Sequence, residues 1–157
     1  MVIPFQNGVE RIERIARRRR RPARACGGVA YIAATIAEPG VIAHTGTMAR
    51  LRFGAGAAER SNRARRGVRR RACLSAGIDA EVVADIRRAL WEKFVFLRAV
   101  SGVTASTRQP LGVIRSRSGP ARDAFEAAMR EAWTVGPRAR SASLADDFVA
   151  QQMTFAR

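Results

Sequence analysis

The chain has 157 residues, 47% of them hydrophobic but only 6% aromatic, so a core must rest on Ala, Val, Leu and Ile within one ordinary domain, or one small domain and part of another. Its 29 basic and 13 acidic residues give a formal charge of +16, carried by 28 arginines and a single lysine. A disulfide framework, a zinc site and a membrane-spanning helix are excluded: Cys26 and Cys73 stand alone without ligand spacing, and no apolar run approaches about 20 residues.

In chain order, "MVIPFQNG" reads as a short apolar strand ending in an Asn7-Gly8 turn. "GVERIERIA" predicts a helix, with Val9, Ile12 and Ile15 or Ala16 at helical spacing and Glu10 and Glu13 in the first turn. That period stops at Arg17, where "ARRRRRPAR" stacks like charges against a proline. Two or three strands follow: Val29 to Thr35, a turn at "EPG", Val41 to His44, a turn near Gly46, and Met48 to Phe53. Between Ala55 and Ala72 no period survives in "ERSNRARRGVRRR".

"AGIDAEVV" predicts a connection and a strand, and Asp85 is the expected N-cap of a long helix to about Thr107. "RQPLG" breaks that helix. Ser118-Gly119-Pro120 opens another, with Phe125, Ala128, Met129 and Trp133 on one face; "VGPRARSAS" ends it, and Asp146 or Asp147 opens a last helix. With no charged-then-apolar leader at the N-terminus, the expectation is a soluble, cytoplasmic, reduced protein.

Seventeen of the 28 arginines lie in two windows, Arg11 to Arg24 and Arg50 to Arg71. Both have the composition that GC-rich DNA yields when read out of frame; an intact frame with the same Arg codons in several isolates would remove that reading. The alternative is a basic nucleic-acid surface, which is not favoured because the windows lack the aromatics that stack on bases, Phe53 apart. His44 is the only histidine, so no His triad or multi-histidine metal site can form, and a structural hydrogen bond is its expected role. Trp91 and Trp133 are expected in a core or interface, and Glu92 in solvent.

The single lysine, Lys93, lies in "ALWEKFVFL". At about 100° per residue it shares a narrow stripe with Ile86, Leu90, Leu97, Ser101 and Thr104. A lysine on such a stripe either snorkels at the helix edge or is held at a site. A site lysine could donate a hydrogen bond to a ketone oxygen and release a proton to it, a step that arginine does not perform.

"VIPFQNGVE", "GGVAYIAATIAEPGVIAHTG", "AGIDAEVVADIRRALWEKFVFL", "SGVTASTRQPLG" and "DDFVAQQMTFA" resemble, in order and spacing, segments of the ketopantoate reductase family (2-dehydropantoate 2-reductases). The resemblance implies an α/β piece over residues 1–60 that is the end of a Rossmann-type NADP-binding domain with antiparallel strands. A poorly structured Arg-rich connection over 61–79 and an all-helical, 6-phosphogluconate-dehydrogenase-like domain over 80–157 are expected to follow. It also implies NADPH-dependent reduction of ketopantoate to pantoate, in pantothenate and coenzyme A biosynthesis. Lys93 falls on the catalytic acid, Asn7 on the residue near both nicotinamide and substrate, and Ala34 on the cofactor's approach.

Where family members carry asparagines for the substrate, this chain has Leu97, Ser101 and Leu111, of which Ser101 alone can hydrogen-bond. Another 2-keto acid is therefore an open alternative. The chain is expected to be incomplete at both ends, without turnover by itself, because no G-x-G-x-x-G phosphate loop precedes Asn7; "GAGAAE" at Gly54 to Glu59 lacks the third glycine. The expected partner is a small 2-keto acid, with no nucleic acid and no membrane, and a homodimer through the helical domain. A helical interaction module without NADPH binding is the remaining alternative.

Overall fold

The computed structural model describes residues 2–19, 25–55, 63–138, 145 and 147–154. The chain forms two compact units, Met1–Ile86 and Arg87–Arg157.

The first unit is a small three-stranded sheet with two helices. β1 (Cys26–Glu38) and β2 (Val41–Ala55) form the predicted antiparallel hairpin, closed by Pro39-Gly40 with Gly40 at φ 84°. Their register runs from Cys26↔Ala55 to Ile32↔Ala49, then resumes at Ala34↔His44. Residues 45–48 of β2 therefore oppose Ala33 alone. This bulge is the turn foreseen near Gly46, which sits at φ 70°, and β2 passes through it as one strand. Thr45 Oγ1 donates to Ala33 O at 3.4 Å, and His44 Nε2 lies 3.1 Å from Met48 O, the structural bond expected of that histidine.

β3 (Asp79–Val82) adds to β2 in parallel, with Arg50↔Asp79 and Arg52↔Glu81 in register. Ion pairs reinforce both rungs, Arg50 Nε to Asp79 Oδ2 at 2.6 Å and Arg52 Nε to Glu81 Oε2 at 2.8 Å. The opening residues join the other side of the sheet through a parallel bridge, Val2↔Ala25, with Cys26 N donating to Val2 O at 3.0 Å.

α1 (Arg11–Arg19) buries Ile12 and extends two residues past the end of the apolar period, because arginine itself favours helix. α2 (Arg63–Ser75) occupies most of the stretch where periodicity predicts no regular element. Arginine and alanine propensity carry it, and it packs against β3. It closes on Gly77 at φ 74°, with Gly77 N donating to Leu74 O at 3.0 Å and Ile78 N to Cys73 O at 2.8 Å. Of the two arginine windows, residues 20–24 and 56–62 lie outside the described residues.

In the core of this unit Ile12, Val29, Phe53, Ala80 and Ile86 are buried. The backbone comes close there: a Cβ on Gly27 would stand 2.6 Å from Ile86 Cγ1.

The second unit is all helical. α3 (Ile86–Thr107) starts right after Asp85 and ends at Arg108, at φ 53°. α4 (Leu111–Ser116) is a single short helix in the segment read as a break; Pro110 caps it in extended conformation, and its carbonyl accepts from Val113 N at 3.0 Å. α5 (Pro120–Arg138) begins at the predicted proline and runs on through Gly136 and Pro137. Six-residue helices and a proline in a last turn leave no periodic signal to read.

α6 (Phe148–Thr154) follows Asp147, whose Oδ2 accepts from Gln151 Nε2 at 2.6 Å; Asp146, the other expected opening residue, lies outside the described residues. α5 packs with both α4 and α6, and Ile114, Phe125, Met129, Ala132, Phe148 and Val149 are buried. Phe96 on α3 meets Phe125 edge-on, with centroids 6.1 Å apart.

Candidate active site

α3 carries the residue with the clearest chemical potential. Ala89, Val95, Ala99 and Val103 are buried along one side of the helix, and Trp91, also buried, meets Phe94 edge-on at 5.5 Å. Arg98 reaches α5, donating to Glu131 Oε2 at 3.2 Å and Ala128 O at 3.3 Å.

Lys93 lies off that side, half-buried, on the stripe shared with buried Leu90 and half-buried Leu97. Burial holds its ammonium below the ordinary lysine value near 10.5. Farther along, Ser101 is exposed, and the Thr104 hydroxyl donates to Val100 O at 2.7 Å. Thr104 thus spends its donor on its own helix, while the Ser101 hydroxyl makes no hydrogen bond among the described residues. Two helical turns, about 12 Å of rise, separate Lys93 from Ser101.

Glu92, expected in solvent, is half-buried with a side chain 20% exposed, and accepts from Arg88 Nε at 2.7 Å. The signal for this pair is in the sequence as opposite charges four residues apart on a helix. Trp91 is in the core as expected; Trp133 is half-buried, with an indole N–H that finds no acceptor among the described residues.

The other candidate residues belong to the first unit. Asn7 lies before α1 with its side chain exposed; its backbone carbonyl accepts from Arg11 Nη2 at 3.4 Å, and its amide group makes no hydrogen bond among the described residues. Gly8 follows at φ 115°, a conformation that suits glycine. Ala34 is exposed on β1 opposite His44.

Gly54 does not open a phosphate cradle. A Cβ there would lie 2.7 Å from Val83 O and 2.9 Å from Ile86 Cβ, so the glycine permits close packing of β2 on the segment after β3. The rest of "GAGAAE", beyond Ala55, lies outside the described residues. Among the described residues no group of three or more His, Cys, Asp or Glu side chains could hold a metal, and no helix is long and apolar enough to cross a membrane.

Residues 1–58 match the family model of ketopantoate reductase PanE/ApbA, and residues 85–157 match that of its C-terminal part. The chain belongs to the ketopantoate reductase family. A 2-dehydropantoate 2-reductase from Geobacter metallireducens GS-15 is similar to 99% of the chain, with 27% identity and a TM-score of 0.85. A PanE/ApbA family ketopantoate reductase from Ralstonia eutropha JMP134 is similar to 97% of it, with 28% identity and a TM-score of 0.74.

The uncharacterized oxidoreductase YkpB of Bacillus subtilis (strain 168) is 30% identical over 116 residues, 73% of this chain. The chain spans 50% and 47% of the two solved reductases and 37% of YkpB. The small sheet followed by a helical unit is thus the fold of a ketopantoate reductase over that span, and the family is one of oxidoreductases.

Proposed function

We propose that this chain contributes the proton donor of an NADPH-dependent 2-keto acid reductase, with ketopantoate, reduced to pantoate, as the reference substrate. The observation that carries the reading is Lys93: the single lysine of the chain, half-buried on α3, with burial weakening its hold on a proton.

Reduction of a ketone adds a hydride at carbon and a proton at oxygen. NADPH, when bound, supplies the hydride. Lys93 Nζ donates a hydrogen bond to the keto oxygen; as the carbon–oxygen π pair moves onto oxygen, the N–H bond breaks and the proton passes across. The neutral amine then regains a proton from solvent. A lowered ammonium pKa brings the donor nearer the working range of a general acid, and general acid catalysis of this kind contributes about 10²- to 10⁴-fold. Arginine in the same place would hold the oxygen without giving up the proton.

Asn7, with an exposed amide group that no described residue engages, suits the carboxamide and the substrate's polar groups, and Ala34 offers only a methyl where a cofactor would approach. The reading concerns the nicotinamide end only, since no G-x-G-x-x-G loop for a pyrophosphate stands among the described residues. Ser101 is the hydroxyl available to a substrate along α3. The expected setting is cytoplasmic, with a homodimer through the helical unit.

Two measurements test the reading. In a full-length version that carries the dinucleotide-binding half, NADPH consumption on addition of ketopantoate should fall by about 10²-fold or more in Lys93→Ala; turnover that survives the substitution would overturn the assignment. Independently, lysine labelled with ¹³C at Cε gives one resonance in this chain, and ketopantoate should shift it. A resonance indifferent to saturating ketopantoate and to other 2-keto acids would remove Lys93 from any substrate site.

A further inference from the structure

A second feature lies in the first unit, on the face of the sheet formed by Tyr31, Arg50 and Asp79 in one cross-strand row and Arg52 and Glu81 in the next. An open cavity of about 420 Å³ lies there, lined by Tyr31, Thr47, Met48, Arg50, Arg52 and Asp79. Its volume is within the range of small-molecule sites, roughly 300–1,000 Å³. The bulge at residues 45–48 forms one wall.

Each guanidinium group is held by a carboxylate at its Nε side, and that of Asp79 also lines the cavity. Arg50 and Arg52 each turn Nε to the carboxylate directly across on β3, at 2.6 and 2.8 Å. Arg52 also lies over the Tyr31 ring, 5.4 Å from its centroid. Because the carboxylates take the Nε side, the terminal nitrogens of Arg50 remain without a partner among the described residues. Arg52 also engages the Tyr31 side chain; two residues apart on one strand face, the arginines are about 7 Å apart at Cα, close enough for both guanidinium groups to reach one tetrahedral oxyanion.

Salt bridges that only locked β3 to β2 would not need a concavity in front of them. Asp79 and Glu81 neutralise the pair locally, but the chain as a whole carries +16, so the surrounding field favours an anion. We infer that this cavity binds a small phosphate-bearing ligand, gripped by Arg50 and Arg52 with Tyr31 beside it. Charge-assisted and bidentate contacts from arginine suit a phosphate, which can accept from both guanidinium groups at once.

The test is titration of the full chain with inorganic phosphate and with phenyl phosphate, followed by calorimetry and by the arginine Nε resonances. Saturable binding is expected, with Arg50→Lys and Arg52→Lys each weakening it by about tenfold or more, while Arg14→Gln on α1 leaves it unchanged. Lysine at either position keeps the charge opposite β3, and circular dichroism verifies that the sheet persists. Three results would overturn the inference: no saturable binding by the unaltered chain, equal weakening by Arg14→Gln, or benzoate binding as tightly as phenyl phosphate.

Discussion

A Cβ placed on Gly54 would lie 2.7 Å from the carbonyl oxygen of Val83. The close approach is to backbone, and it is reinforced by Val83 N donating to Phe53 O at 3.0 Å, so neither β2 nor the segment after β3 can retreat without losing a hydrogen bond. Gly54→Ala is therefore expected to destabilise the first unit by about 1–3 kcal/mol. Urea unfolding followed by circular dichroism measures it; a variant as stable as the parent would mean that this glycine is free for another use.

Burial of Lys93 makes a second expectation with a definite sign. The folded ammonium titrates below the unfolded value near 10.5. Between the two values the unfolded chain holds the proton and the folded chain does not, so stability contributed by this group rises with pH through that window. Below the window the cost of burying the charged form is present in full. Comparing the unfolding midpoint of the parent with Lys93→Met across the alkaline range isolates the effect. A parallel pair of curves would mean that Lys93 is as well hydrated folded as unfolded.

The two rungs between β2 and β3 differ in exposure. Arg50 and Asp79 side chains are each 50% exposed, while Arg52 and Glu81 are 30% and 46% exposed. Exposed pairs contribute roughly 0–1 kcal/mol. Glu81→Gln should cost more than Asp79→Asn, both should stay near or below about 1 kcal/mol, and added salt should shrink the difference. Losses of several kcal/mol for Asp79→Asn would show a role that its exposure does not explain.

Phe125 is fully buried on α5 and meets Phe96 of α3. Truncation to alanine removes both the transfer term and that ring contact, with an expected cost of about 3–5 kcal/mol. Near-ultraviolet circular dichroism and denaturant unfolding would register the loss, and a cost below about 1 kcal/mol would show that the second unit refills the space.

Much of the architecture is readable in the residues before any coordinates. α3 announces itself through Asp85 and an apolar stripe, α5 through Ser118-Gly119-Pro120, and the hairpin through β-branched runs on either side of Pro39-Gly40. α2 was hidden because its cohesion comes from arginine propensity and a glycine-closed C-terminus rather than an apolar period. The pairing of Glu92 was hidden by a single-residue view: its angle around α3 points to solvent, while its partner four residues earlier keeps it half-buried.

Lys93 stands out in the sequence by type and position, and its half-buried environment belongs to the same apolar stripe. The close approach at Gly54 had no such signal, since a sequence does not say which backbone will pass behind a glycine. The cavity before Arg50 and Arg52 was equally invisible, because it depends on which strand pairs with β2 and in what register.

The hairpin has one more property that bears on how the protein behaves in bulk. Paired residues share a face, so Ile32, Ala34, Ile36, Ile42 and Ala49 line one side of it together with His44, and Ile36 and Ile42 are 75% and 66% exposed. A largely apolar strand face of this kind favours association, yet each molecule carries +16, and like charge opposes contact through that face. At about 0.1 M salt the screening distance is near 10 Å, so an ordinary buffer would weaken that repulsion. Colloidal stability here is an electrostatic property resting on a greasy surface, and dilute, low-salt conditions are where the chain should remain monodisperse.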